Sequence, residues 1–157
     1  MVDSIDPAAR SAVMAKVRGK NTRPELIVRK LLFAAGYRYR LHVRALPGSP
    51  DLVFPSRRKV IFVHGCFWHR HDNCGAARMP KSRVEFWSDK LNGNKARDVR
   101  KHEKLIQEGW QVLVVWECEL GDLTMLEDKL QIFLGPAGTA ANVAGSGPAL
   151  AAMRTAR

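Results

Sequence analysis

Residues 59–71 of the chain read KVIFVHGCFWHRH, a strand followed at once by an unusual loop. Lys59 to His64 is a largely apolar run, which favours a β-strand. Gly65 then opens an irregular segment that extends to about Pro80 and carries two cysteines among histidines and aromatic residues. A strand of the core is therefore expected to lead directly into a loop rich in potential metal ligands.

Helices and strands alternate on both sides of this stretch. Strands are predicted over 37–43, 51–54, 59–64 and 110–116, and the last reads WQVLVVW, as in the buried middle of a sheet. Helices are predicted over 6–17, 22–35, 82–91, 94–108 and 123–134, with a break near Gly93 between the third and the fourth. The buried stripe of the second helix is expected to be Leu26, Ile27, Leu31, Leu32 and Ala35. This order predicts an α/β domain with a mixed sheet flanked by helices.

Length and charge limit the class of protein. The 157 residues suit one domain, and 26 Lys and Arg against 15 Asp and Glu give a net charge of +11, which favours a polyanionic partner such as nucleic acid. Neither a membrane span nor a signal peptide is recognisable, so a cytoplasmic protein is expected. We divide the chain into an N-terminal arm (1–20), a central domain (21–135) and a flexible Gly/Ala-rich tail (136–157).

The three cysteines belong to one potential metal site. With the histidine that lies between the first two, they make a complete Cys₃His set, typical of structural zinc: Cys66, His71, Cys74 and Cys118. The alternative is three cysteines that only pack in the core. His69, two residues before the histidine of the set, is a competing ligand.

A second potential metal site begins at Pro50-Asp51. A Pro-Asp pair before a strand resembles the PD-(D/E)xK arrangement of metal-dependent nucleases, but Phe62-Val63-His64 stands where that pattern has an acid and a lysine. One carboxylate, a backbone carbonyl and phosphate oxygens could still hold Mg²⁺. His64 and His69 are then candidates for the general base, and Glu25 is a candidate for orienting water. Each histidine could instead be structural, and the position of Glu25 alone favours a helix-start acid that only serves the helix dipole.

Large aromatic residues stand beside positive charge. Phe67-Trp68 and Phe86-Trp87 could enter between base steps and unstack a duplex, and Met14 could do the same from the N-terminal helix. Core packing is the alternative for each. The basic residues available for phosphate contacts, some of which will be solvated instead, are Lys81, Arg83, Lys90, Lys95, Arg97, Arg100, Lys101 and Lys104.

Taken together, these residues resemble a known family, the very short patch repair (Vsr-type) DNA mismatch endonucleases. The resemblance spans about residues 6 to 134 and rests on LPGSPD (46–51), VIFVHGCFWH (60–69), EFW (85–87), NxxRD (94–98) and GWxVxxVWEC (109–118). It implies a restriction-endonuclease-like (PD-(D/E)xK-related) nuclease domain with a structural zinc site. The implied activity is Mg²⁺-dependent nicking of one DNA strand beside a T·G mismatch, of the kind that deamination of 5-methylcytosine produces.

The resemblance also implies a role for individual residues. Asp51 would be the metal carboxylate, the backbone carbonyl of Val63 the second protein ligand of Mg²⁺, and His69 the general base, while His64 and Glu25 would hydrogen-bond water or phosphate. The implied zinc ligands are Cys66, His71, Cys74 and Cys118, and the implied DNA-wedging residues are Met14, Phe67, Trp68 and Trp87.

Partners follow from the same resemblance. They are mismatched double-stranded DNA, a cytosine-5 DNA methyltransferase as functional companion and the repair machinery, so the enzyme would act at the nucleoid; nicking one strand needs only a monomer. Two other functions stay open: a nuclease of the same fold that acts on another distorted DNA, and a zinc-stabilised DNA-binding module without catalysis.

Overall fold

The computed structural model describes residues 19–138 and, upstream of them, Ala8, which is helical. The rest of the predicted helix over 6–17, including Met14, lies outside the described residues, as does the tail beyond Gly138. Within the described part, no helix is both long enough and apolar enough to cross a membrane.

One four-stranded mixed sheet forms the centre of the fold, in the order β1-β2-β3-β4. Its strands are β1 (Arg40–Leu41), β2 (Leu52–Phe54), β3 (Lys59–His64) and β4 (Gln111–Trp116). β2 is antiparallel to both of its neighbours, β1 and β3, whereas β3 and β4 run parallel. The predicted α/β class with a mixed sheet is confirmed.

Within residues 19–138, three helices flank the sheet: α1 (Arg23–Ala34), α2 (Val84–Gln107) and α3 (Leu123–Leu134). The predicted break near Gly93 is wrong, because α2 runs through it for 24 residues. A glycine inside a helix costs only about 1 kcal/mol relative to alanine, which packing of the helix on the sheet can offset. The helix supplies the crossover that a parallel pair of strands requires.

The core lies on both faces of the sheet. Successive residues of β3 point to opposite faces, so Ile61 and Val63 pack with α1 and α3 while Val60 and Phe62 pack on the side of α2. All six residues of β3 are buried in consequence. This two-sided burial explains why the strand is largely apolar, with Lys59 and His64 only at its ends.

Two predicted strands differ from the structure. In the described residues β4 lies at the edge of the sheet rather than in its middle. Its apolar run reflects helices over both faces, since Val115 belongs to one core cluster and Val112 packs against the other. Of the predicted strand over 37–43 only Arg40–Leu41 pairs, and His42 directly after it has a φ of 45°.

The buried face of α1 also differs from its predicted stripe. Leu26 is 43% exposed, whereas Glu25 and Val28 are buried at 2% and 0% exposure. Leu32 is buried as expected. Thr22 rather than Asn21 caps the helix, since its side chain accepts from the Glu25 N–H.

Candidate active site and metal centre

Asp51 directly precedes β2, at the end of the sheet where β2 begins and β3 ends. The two strands are antiparallel, with Leu52 opposite Ile61, so the residue before β2 comes beside the last residues of β3. The Val63 N–H donates to Asp51 Oδ2 at 2.7 Å. The strand pairing therefore brings Asp51 next to Val63 and His64, as the sequence predicts.

The Asp51 carboxyl is poorly solvated. Burial raises its pKa from 3.8 to about 7, although the Val63 N–H acts in the opposite direction. Glu25 adds a further rise, while Arg29 and His69 lower the pKa. A positive ligand beside this carboxylate would offset the cost of ionising it.

Glu25 is not a solvated helix-start acid. Its side chain is 3% exposed, and its Oε2 accepts from the Asn21 N–H at 2.9 Å and from Arg29 Nη2 at 3.1 Å. His42 Nε2 lies 3.4 Å from the same oxygen. Glu25 thus combines the helix-start position that the sequence favoured with a place in the cleft beside Asp51.

His42 lies between Glu25 and Asp51, a position that no pattern in the sequence indicated. Arg29 Nη2 lies 2.9 Å from His42 Nε2, and because guanidinium has only donors, this nitrogen accepts and the ring proton is on Nδ1. His42 Nδ1 lies 3.7 Å from Asp51 Oδ1, outside hydrogen-bond distance. Burial lowers the pKa of His42, which keeps the ring neutral.

His69 is held by an acid from α2. Its Nδ1 lies 2.5 Å from Asp98 Oδ2, a short hydrogen bond. Burial alone would raise the pKa of Asp98, but the hydrogen bond from His69 lowers it, so Asp98 is a carboxylate. A carboxylate only accepts, so the shared proton is on Nδ1 of His69, and Nε2 is the nitrogen that faces away from Asp98.

His64 stacks against His69. The two rings are almost parallel, at 7°, with centroids 3.8 Å apart. Burial lowers the pKa of His64 to about 3, so this ring is neutral. Its Nδ1 is buried and has no hydrogen-bond partner within residues 19–138. A buried polar atom without a hydrogen bond is costly, and binding of water, an ion or a ligand is one explanation for such an atom.

These groups line one cleft with a volume of about 810 Å³. Its walls include Glu25, Asp51, His64, His69, Asp98 and Lys101. The four predicted catalytic residues are thus brought together. Asp98 was missed as a site residue, although it belongs to the NxxRD block at 94–98, because nothing in the sequence shows that α2 passes over the loop.

The predicted zinc ligands also come together. Single donor atoms of Cys66, His71, Cys74 and Cys118 all lie within 4.8 Å of one another. His71 Nδ1 is 3.6 Å from Cys66 Sγ and 3.4 Å from Cys118 Sγ, near the ligand separations of about 3.3 to 3.8 Å that tetrahedral zinc requires. The competing residue His69 lies with Asp98 instead.

Three of the predicted wedge residues form one aromatic cluster. The ring centroids of Phe67 and Trp87 are 5.5 Å apart, and Trp68 lies 5.1 Å from Phe67 and 6.1 Å from Trp87. Phe86 extends the cluster and is 42% exposed. Lys90 Nζ is within 6 Å of three of these rings, so the cluster is an aromatic surface beside positive charge.

Comparisons with known proteins agree with this arrangement. The family model described as DNA mismatch endonuclease Vsr matches residues 2–75. The chain is 56% identical over 136 residues to "Type II nicking enzyme V.XorIIP" of Xanthomonas oryzae pv. oryzae, which covers 87% of this chain and 99% of the relative. It is 41% identical over 129 residues to "DNA mismatch endonuclease Vsr" of Escherichia coli, covering 82% of each, and 41% identical over 130 residues to "Type II nicking enzyme V.NmeAIP" of Neisseria meningitidis.

Fold, cleft and relatives together define the class: the protein is a DNA endonuclease, with a strand-nicking function in repair. The match covers nearly the whole described domain and most of each relative. The chain belongs to the Vsr family of DNA mismatch endonucleases.

Proposed function

We propose that this protein is a Mg²⁺-dependent endonuclease that nicks one strand of duplex DNA beside a T·G mismatch and so starts very short patch repair. The convergence of Asp51, His64, His69 and Glu25 in one cleft carries the proposal. The antiparallel β2–β3 pair with an acid at its end supports a core related to the PD-(D/E)xK nucleases.

Asp51 and the main-chain carbonyl of Val63 would hold the Mg²⁺. The Asp51 carboxylate is a hard oxygen donor of the kind that Mg²⁺ prefers, and its Oδ2 is fixed by the Val63 N–H. Burial makes this carboxyl costly to ionise. A cation at this carboxylate lowers that cost. When bound, the ion would neutralise charge that develops on the scissile phosphate.

His69 would act as the general base on the attacking water. Asp98 accepts the Nδ1 proton, which leaves the Nε2 lone pair for the proton that water loses. The carboxylate also stabilises the imidazolium that forms. His64, neutral and stacked on His69, adds no competing positive charge and would hydrogen-bond water or phosphate.

Glu25 would accept a hydrogen bond from water in the cleft. Its carboxylate is fixed by Arg29 and the Asn21 N–H, so its orientation does not depend on substrate. Preorganisation of this kind is what positions a reacting water without a loss of entropy at the time of reaction.

The Cys66, His71, Cys74 and Cys118 set would hold a structural zinc ion. The ion would join the loop after β3 to the end of β4, where Cys118 lies. His69, Phe67 and Trp68 all fall between the first two ligands, so a closed zinc site would fix the general base and two of the wedge residues together.

The aromatic cluster would enter the DNA. Phe67, Trp68 and Trp87, with Met14 of the N-terminal arm, would unstack base pairs at the mismatch, which yields more easily than a paired step. The positive charge of Lys90 beside these rings would favour binding of the DNA backbone. Such mismatches would arise from deaminated 5-methylcytosine, so the functional companion would be a cytosine-5 DNA methyltransferase. A monomer would be sufficient to make one nick.

The experiment uses end-labelled duplexes that differ only in one T·G or T·A pair. We expect wild-type protein to nick the T·G duplex in Mg²⁺ and not in EDTA, and Asp51→Ala and His69→Ala to bind it without cutting. Equal nicking of both duplexes would favour a nuclease for other distorted DNA. Binding without cutting by wild type would favour a DNA-binding module.

A further inference from the structure

The catalytic cleft continues into a second, shallower groove. This groove has a volume of about 470 Å³ and lies between the loop over residues 44–49 and the C-terminal half of α2. Four residues line both cavities, namely Arg44, Gly48, Ser49 and Lys101. The two cavities therefore adjoin along this shared wall, and Asp51 lines the first cavity while Lys104 lines the second.

The groove is lined by positive charge that has no ion-pair partner among the described residues. Arg44, Lys101 and Lys104 are all exposed, and none of them forms an ion pair within residues 19–138. Glu108 is the one acid among the lining residues. By contrast Lys95, on the same helix, is paired with Asp72 at 2.7 Å.

The loop packs closely against α2. Gly48 has a φ of +77°, and a Cβ there would come within 3.0 Å of Lys101 Cδ and 3.2 Å of Phe62 Cε1. Glycine thus allows the loop to lie directly on the Lys101 stem and on β3, two residues before His64. This packing places the wall of the groove next to the strand that leads into the cleft.

We infer that this groove binds successive backbone phosphates of the DNA strand as it leaves the cleft. The inference rests on the proposed function and adds the path of the strand, which runs from Asp51 over Lys101 to Lys104 and Arg44. Exposed lysine and arginine side chains make sequence-independent contacts with phosphates and release counterions. The groove therefore contributes affinity and register, while the aromatic cluster acts at the mismatch.

The test is DNA binding against salt, with T·G and T·A duplexes in EDTA. Lys104→Ala and Arg44→Ala should each reduce the slope of log affinity against log salt by about 0.9, and the double variant by about twice that. The Kd of each single variant divided by the Kd of wild type should consequently fall about 3.5-fold as the salt concentration rises from about 50 to about 200 mM. The reduction in slope should be the same for the T·G and the T·A duplex.

Three further variants make the result specific to the groove. Lys104→Arg should restore the slope, and Glu108→Gln should tighten binding because it removes the acid. Lys30→Ala removes an exposed charge of α1 that lines neither cavity, so its slope should equal that of wild type. Unchanged slopes for Lys104→Ala and Arg44→Ala, or an equal loss for Lys30→Ala, would overturn the inference.

A failure of the proposed function is distinguishable from a failure of the groove. In the same preparations, wild type is assayed for nicking of the T·G duplex in Mg²⁺. Nicking with unchanged slopes refutes the groove alone, whereas reduced slopes without nicking support the groove and refute the proposed catalysis.

Discussion

Replacing Asp98 with Asn removes the charge that orients His69 while keeping the size of the side chain. The change has a second effect, because the Asn amide can donate to Nδ1. The ring proton would then move to Nε2, and His69 could no longer accept a proton from water. We therefore expect nicking to slow while DNA binding stays unchanged, since neither residue belongs to the basic groove or the aromatic cluster.

The size of the loss follows from the contact. The His69 and Asp98 side chains are 29% and 18% exposed, so water screens their 2.5 Å hydrogen bond only partly. A hydrogen bond to a charged group contributes about 1.5 to 3 kcal/mol. At about 1.4 kcal/mol per factor of ten, the nicking rate constant should fall about 10- to 150-fold.

The assay is single-turnover nicking of the T·G duplex at saturating protein, with Kd measured separately in EDTA. Asp72→Asn is the matched control, since it makes the same chemical change in an exposed ion pair with α2. Asp98→Glu should retain part of the activity because it retains the charge. A wild-type rate for Asp98→Asn, or a loss that appears only in Kd, would refute this role of Asp98.

Three other changes test separate parts of the structure. Because the pKa of Asp51 is raised from 3.8 to about 7, the folded metal-free protein binds this proton more tightly than the unfolded chain, and its stability falls as pH rises from about 4 to about 7. Asp51→Asn should thus be more stable than wild type in EDTA. The difference between the two free energies of unfolding, measured with denaturant, should be about 3 kcal/mol larger at pH 8 than at pH 5. Cys118→Ser should lower bound zinc, measured by atomic absorption, together with the melting temperature. Arg57→Met should lower the free energy of unfolding by about 2 kcal/mol, because the buried guanidinium donates to two carbonyls at the end of α3.

Each of these has its own control. Wild-type and Asp51→Asn stabilities that run parallel between the two pH values would contradict the raised pKa. Unchanged zinc stoichiometry in Cys118→Ser would remove this thiol from the metal site. Arg38→Met is matched to Arg57→Met, because Arg38 also donates to carbonyls but is exposed, and an equal loss in both variants would contradict the role of burial.

Local patterns were enough for the elements with strong signals. β3 and α3 have their predicted bounds, because an apolar run bounded by turns and a capped amphipathic stretch are both set by neighbouring residues. The cysteines and His71 likewise predicted a potential ligand set, and the structure brings its donor atoms within 4.8 Å of one another. The sequence did not reveal that Gly93 lies inside one long helix, since the packing that offsets its cost comes from residues far along the chain.

The sequence by itself determined which side chains could do chemistry here: an acid before β2, histidines after β3, a Cys₃His set and a large positive charge. Only the tertiary structure decided which of them act together. The antiparallel pairing of β2 with β3 brings Asp51 to Val63, the continuous α2 carries Asp98 to His69, and the fold places the buried Glu25 in the same cleft. The physical reason is that hydrogen bonds and desolvation depend on distances in space between residues that are far apart in the sequence, 29 positions for His69 and Asp98 and 52 for Cys66 and Cys118, which local periodicity does not encode.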